Sequence, residues 1–166
     1  MFSEFGVSTI ESLVATSQVI VHGKIVDARA HLNASETLVV TDYTIAPTTF
    51  VKFDSSIGQS SVAGSSVPLA VRRPGGTVID GSLKMRTIVD TYADDEPEVG
   101  AEVVLFLGYD KDQKVFYFSG GPFGVFRVRN GSIEAISKDV ATRRGDTAVT
   151  LSQFLGDVSA RVAKRK

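Results

Sequence analysis

Two histidines and no cysteine limit the metal and nucleophile chemistry open to this 166-residue chain. Without cysteine there can be no disulfide, no thiolate or iron–sulfur site and no cysteine nucleophile. His22 and His31 are nine positions apart. In a continuous strand that odd spacing sends them to opposite faces, whereas a metal site needs convergent ligands. Each is therefore expected to be a surface or hydrogen-bonded residue, and neither a metal site nor a cofactor is predicted.

The carboxylates are crowded into one stretch. Residues 90–112 hold eight acids, Asp90, Asp94, Asp95, Glu96, Glu98, Glu102, Asp110 and Asp112, against Lys111 alone. Asp94-Asp95-Glu96-Pro97-Glu98 could offer oxygens to a hard cation. It lacks the alternating acids and closing glutamate of a Ca²⁺ loop, and Asp110-x-Asp112 fills only two of those positions. Both are read as solvated loops. No G-x-S-x-G elbow is present. Gly120-Gly121-Pro122-Phe123-Gly124 sits between strands rather than before a helix, so it lacks the helix N-terminus of a phosphate cradle. No catalytic residue is assigned. A hydrolase with an unrecognised carboxylate pair stays open as a second alternative.

The basic residues carry the other alternative, a single-stranded nucleic-acid binder. Arg72, Arg73, Lys84 and Arg86 fall in the centre of the chain, and Arg127 and Arg129 alternate not far from Tyr117 and Phe118. A basic groove interleaved with aromatic rings is how a small barrel holds a single strand. The charge balance argues against it. The formal net charge is −1, a cancellation between the acidic 90–112 stretch and a tail, 138–166, with seven bases against three acids. The preferred contact surface is Arg72-Arg73-Pro74-Gly75-Gly76 together with Gly120-Gly121-Pro122-Phe123. The binding candidates are Arg72, Arg73, Gly75, Gly76, Phe123 and Arg127. Glycine lets a partner approach the backbone, and Arg and Phe supply anchors. The competing reading is that these are turn residues only.

The elements that would position these groups are mostly strands. Hydrophobic residues make up 43% of the chain and glycine contributes 15 residues, a globular composition of single-domain length. No apolar run approaches the roughly 20 residues of a membrane-spanning helix. Ser8-Thr9-Ile10-Glu11 fits a capping box and opens a short helix over 8–17. Residues 17–28 read as a strand with Val19, Val21, Gly23 and Ile25 on one face, and Gly23 marks a bend or close backbone approach. Residues 37–53 form a second strand, in which Val39, Thr41, Tyr43 and Ile45 face one way, Val40, Asp42 and Thr44 face the other, and Pro47 marks a bulge or an edge.

A third strand over 67–72 runs into the Pro74-Gly75-Gly76 turn. Thr77–Asp80 and Leu83–Val89 follow as further strand pieces around Gly81-Ser82. Glu102–Tyr109 is the clearest strand, and Lys114–Ser119 returns antiparallel to it. Gly124–Arg129 and Ser132–Ile136 form a hairpin about Asn130-Gly131, the favoured two-residue turn. Thr150 and Gln153 form a second capping box ahead of a helix over 150–163, whose apolar stripe is Leu151, Phe154, Leu155, Val158 and Val162.

The order of blocks resembles a family of uncharacterised bacterial extracytoplasmic β-domains. The blocks are Ser17-Gln18-Val19-Ile20-Val21-His22-Gly23-Lys24-Ile25-Val26, then Thr41-Asp42-Tyr43-Thr44-Ile45, Val71-Arg72-Arg73-Pro74-Gly75-Gly76, Glu98–Leu107 and Gly124-Val125-Phe126-Arg127-Val128. The resemblance covers residues 8–136. It implies export and a layout similar to the OB-type barrel of netrin-like and metalloproteinase-inhibitor domains. Those inhibitors use an N-terminal cysteine on the protease metal, and that activity cannot transfer to a chain without cysteine.

The expectation is a single mainly β domain over 1–166: an antiparallel OB-like barrel or sandwich over 18–136, between a short N-terminal helix and an amphipathic C-terminal helix. Its expected role is that of a non-enzymatic, extracytoplasmic binding module for a protein or glycan partner.

Overall fold

Alternation along the strands divides the core in two. The computed structural model describes residues 10–35, 37–54, 57, 68–80, 83–87, 98–119, 124–135 and 149–164. Its strands are β1 (Val19–Leu32), β2 (Val39–Phe53), β3 (Leu69–Pro74), β4 (Gly76–Asp80), β5 (Leu83–Thr87), β6 (Glu102–Asp110), β7 (Val115–Phe118), β8 (Val125–Arg129), β9 (Ser132–Ala135) and β10 (Val149–Thr150). The helices are α1 (Ile10–Thr16) and α2 (Leu151–Lys164). The chain is thus mainly β with a helix near each end.

An eight-stranded sheet runs in the order β1-β2-β3-β7-β6-β8-β9-β10, and β1 also pairs with β6. The β3–β7 contact is parallel and two residue pairs long; the other pairings of this sheet are antiparallel. β4 and β5 make a separate two-stranded sheet around residues 81–82.

One side of the main sheet gathers Val19, Val21, Ile25, Tyr43, Ile45, Leu69, Val71, Val103, Leu105, Leu107, Phe116, Phe118 and Val125. The other side gathers Ile20, Val104, Phe106 and Phe126 beneath Leu13 and Val14 of α1 and Phe154, Val158 and Val162 of α2. β6 feeds both clusters, so it reads as an unbroken apolar run instead of an alternating one, as strands covered on both faces do. Phe106, Phe126 and Phe154 form a ring triad with centroid separations of 5.7, 6.4 and 5.0 Å, within the range of favourable aromatic pairs.

Local signals in the sequence map onto this frame. Thr150 and Gln153 cap α2 reciprocally: the Gln153 amide donates to Thr150 Oγ1 at 3.1 Å, and the Thr150 amide to Gln153 Oε1 at 3.2 Å. Asn130 and Gly131 both have positive φ, 52° and 76°, between paired Arg129 and Ser132, as a two-residue hairpin turn requires. Gly23 presses against the β2 backbone, where a Cβ would collide with the Ala46 carbonyl. Pro47 adjoins a bulge: Gly23 opposes Pro47 and His22 opposes Thr49, leaving Thr48 unpaired in the register. Ser8 of the first capping box lies outside the described residues. β10 was not anticipated, because a two-residue strand has no periodicity to read.

A second bulge corrects the histidine geometry. Ile25 opposes Ile45 but Asp27 opposes Thr44, so Val26 is an extra residue. Residues beyond it change faces, as a bulge dictates: Val19, Val21 and Ile25 point into the first cluster, and then Ala28 packs against it. His22 and His31 consequently share the outward face despite their odd spacing. They sit far apart on β1, each with a different carboxylate, Glu102 and Asp42.

Candidate binding groove

The outward face of β2 and β3 carries a charged network at its centre. Asp42 and Arg72 are direct cross-strand neighbours. Arg72 Nε donates to Asp42 Oδ1 at 2.7 Å and Nη2 to Oδ2 at 3.0 Å, a bidentate geometry that suits a planar guanidinium. His31 reaches the same carboxylate from β1, with Nε2 2.7 Å from Oδ2 and Nδ1 2.8 Å from the Leu32 carbonyl. Burial alone would raise the Asp42 pKa, but the hydrogen bonds from Arg72 and His31 outweigh it and hold the carboxyl below the usual range. Asp42 in turn pushes the Arg72 pKa up.

Arg72 also fixes a loop. Its Nη1 donates to Gln113 Oε1 at 2.7 Å, which ties β3 to the turn between β6 and β7. That turn is built by Asp110, whose Oδ1 accepts the amides of Asp112 and Gln113 at 2.9 and 3.1 Å. Lys114 closes it with φ 58°. The turn between β1 and β2 is built the same way: Asn33 Oδ1 accepts the amides of Thr37 and Leu38 at 2.9 and 3.2 Å. In both turns a side chain replaces missing backbone partners and fixes the loop.

A groove of about 760 Å³ lies between these turns. Asn33, Ala34 and Ser35 form one wall and Asp110, Asp112 and Gln113 the other, over a floor of Val40, Arg72, Pro74, Val115 and Tyr117. Tyr117 is 47% exposed. It opposes Gly108 on β6, and a Cβ at Gly108 would run into the Tyr117 ring. The missing side chain lets the ring lie over the β6 backbone with its other side toward the groove.

The residues singled out from the sequence separate in space. Arg72 stands in the groove. Arg73 is 3% exposed and points the other way; its Nε donates to Tyr43 Oη and its Nη1 to the Pro74 carbonyl, both at 2.9 Å. Gly75 donates its amide to the Val39 carbonyl and accepts from Thr41 Oγ1, and a Cβ on Gly76 would strike that same Thr41 hydroxyl. The two glycines thus pack against β2. Arg127 is 7% exposed, with Nη1 3.5 Å from Glu134 across the β8–β9 hairpin. Phe123 lies outside the described residues, as do Gly120 to Pro122, Asp90 to Pro97 and Arg144-Gly145-Asp146.

Asp42, Gln113, Asn33 and Tyr117 were not singled out. Alternation alone places Asp42 outward on β2, but only the β2–β3 register sets it opposite Arg72. Among the described residues no three His, Asp or Glu side chains converge as a metal site, and no described helix is long and apolar enough to cross a membrane. No protein-family model matches the chain, and no curated protein matches it.

Proposed function

We propose that this chain is a non-enzymatic, extracytoplasmic binding module on an OB-type barrel, and that the groove between the β1–β2 and β6–β7 turns is its contact surface. The observation that carries the reading is the pairing circuit: β1 with β2, β2 with β3, β3 parallel with β7, β7 with β6 and β6 back to β1. In OB-type barrels the face of the second and third strands, with the loops joining strands one to two and four to five, holds oligomeric ligands. The equivalents here are β2, β3 and the two turns that wall the groove.

The polar chemistry of the groove favours binding over reaction. Asp42 is committed to Arg72 and His31, and Asp110 to two backbone amides. These bonds hold the walls in shape before any ligand arrives, which lowers the ordering penalty of association. Export rests on the resemblance of the sequence blocks to extracytoplasmic domains.

Amide-resolved NMR with phenol and 2-propanol as probes tests the contact surface. Shifts should gather on residues 33–35, 40, 72–74 and 110–117. Shifts gathered on α2 and β9 instead would reject the groove. Fusion of the full-length gene product to alkaline phosphatase tests export, because that reporter is active only outside the cytoplasm.

A further inference from the structure

We infer that the groove takes a neutral oligosaccharide, with Tyr117 as the stacking platform. This rests on the groove being the contact surface, and the chemistry of its floor and edges selects the ligand class.

An extended peptide that adds itself as a strand needs free backbone donors and acceptors. The floor does not offer them at the groove edge. The parallel β3–β7 pairing ends at Arg72 and Tyr117. Beyond it, Pro74 has no amide to donate, and its carbonyl already accepts the Arg73 guanidinium at 2.9 Å. Gly75 is committed to Val39 and Thr41. A proline with an occupied carbonyl blocks strand addition, so recognition must run through side chains.

A polyanion fits poorly too. Arg72, the cation on the floor, is neutralised by Asp42 in a two-bond pair. Asp110 and Asp112 stand on the wall, beside Lys111 and Lys114 of the same turn. These signs alternate without forming a continuous basic track, the electrostatic footprint of a nucleic-acid groove.

The remaining features suit a hydroxyl-rich chain of rings. The Tyr117 ring is laid over Gly108 with one face available for the apolar side of a pyranose; aromatic rings give large contact area at small entropic loss. Around it, Asn33, Ser35, Asp112 and Gln113 offer amide, hydroxyl and carboxylate groups to sugar hydroxyls. An apolar floor with a few placed polar groups is the general form of a small-ligand site.

The test is an amide-resolved titration of the whole chain with cellohexaose and chitohexaose, with a fifteen-residue oligothymidine in parallel and phenol as the class-independent probe. At least one hexasaccharide should shift residues 33–35, 72–74 and 113–117. Tyr117→Ala should weaken that binding at least about tenfold, while Tyr117→Phe, which keeps the ring, should restore most of it. Gly108→Ala, which displaces the ring and leaves Tyr117 in place, should also weaken it. If phenol maps to the groove but neither hexasaccharide does, the ligand class is wrong and the contact surface stands. If phenol does not map there either, both fall. Low-salt binding of oligothymidine in the groove, with no saccharide response, would overturn the inference in favour of nucleic acid.

Discussion

Asp42 and Arg72 face each other across β2 and β3 and are joined by two bonds, Nε to Oδ1 at 2.7 Å and Nη2 to Oδ2 at 3.0 Å. Their side chains are 28% and 25% exposed, so water screens the pair only in part. Because the Asp42 carboxyl titrates below its usual range in the folded chain, its stabilisation is complete above the unfolded value of about 3.9. It is lost as pH falls through the lower folded value. Asp42→Asn should destabilise the protein by about 1–2 kcal/mol at pH 7, the scale of a partly exposed charge-assisted pair. Urea midpoints of the two proteins should converge as the pH is lowered below about 4. A gap that does not narrow with acid would contradict this account of the pair.

The helix-covered side of the sheet depends on Phe154, which is 7% exposed and packs on Phe106 and Phe126. Phe154→Ala should lower unfolding free energy by about 3–5 kcal/mol, as for other buried aromatic truncations. Urea denaturation followed by far-UV circular dichroism measures it. A loss below about 1 kcal/mol would mean that α2 contributes little to the core.

The β8–β9 turn is held by a glycine with φ 76°, a region that a Cβ disfavours by about 1–2 kcal/mol. Gly131→Ala should lose about that much stability. The space around this glycine is open, so the loss reports backbone conformation and not a clash. Gly131→Asn, a residue that tolerates the left-handed region, should lose less than Gly131→Ala in the same thermal melts.

Legibility in the sequence followed the range of the forces involved. Local signals were readable: the Asn130-Gly131 turn, the Thr150/Gln153 cap, the alternation of Val39, Thr41, Tyr43 and Ile45, and the close approach at Gly23. Each is decided within a few residues. The groove was not readable, because it depends on contacts distant in sequence. His31 and Asp42 are eleven residues apart, Asp42 and Arg72 thirty, and Arg72 and Gln113 forty-one. The Val26 bulge shows how small the deciding feature can be: one extra residue reversed the face of His31 and brought it to Asp42. Arg72 and Arg73 make the same point. They look equivalent as a basic pair, yet strand alternation sends one to the groove and the other against Tyr43.

The central claim is that the Tyr117 face of the sheet is where this chain meets its ligand, and phenol mapping of the wild type beside Tyr117→Ala tests it most directly. The account predicts that amide shifts at residues 33–35, 40, 72–74 and 113–115 appear in the wild type and largely vanish in the variant. Amides of α2 and β9 should stay unmoved in both. Equal shifts in the two proteins, or shifts centred on α2 in either, would contradict it.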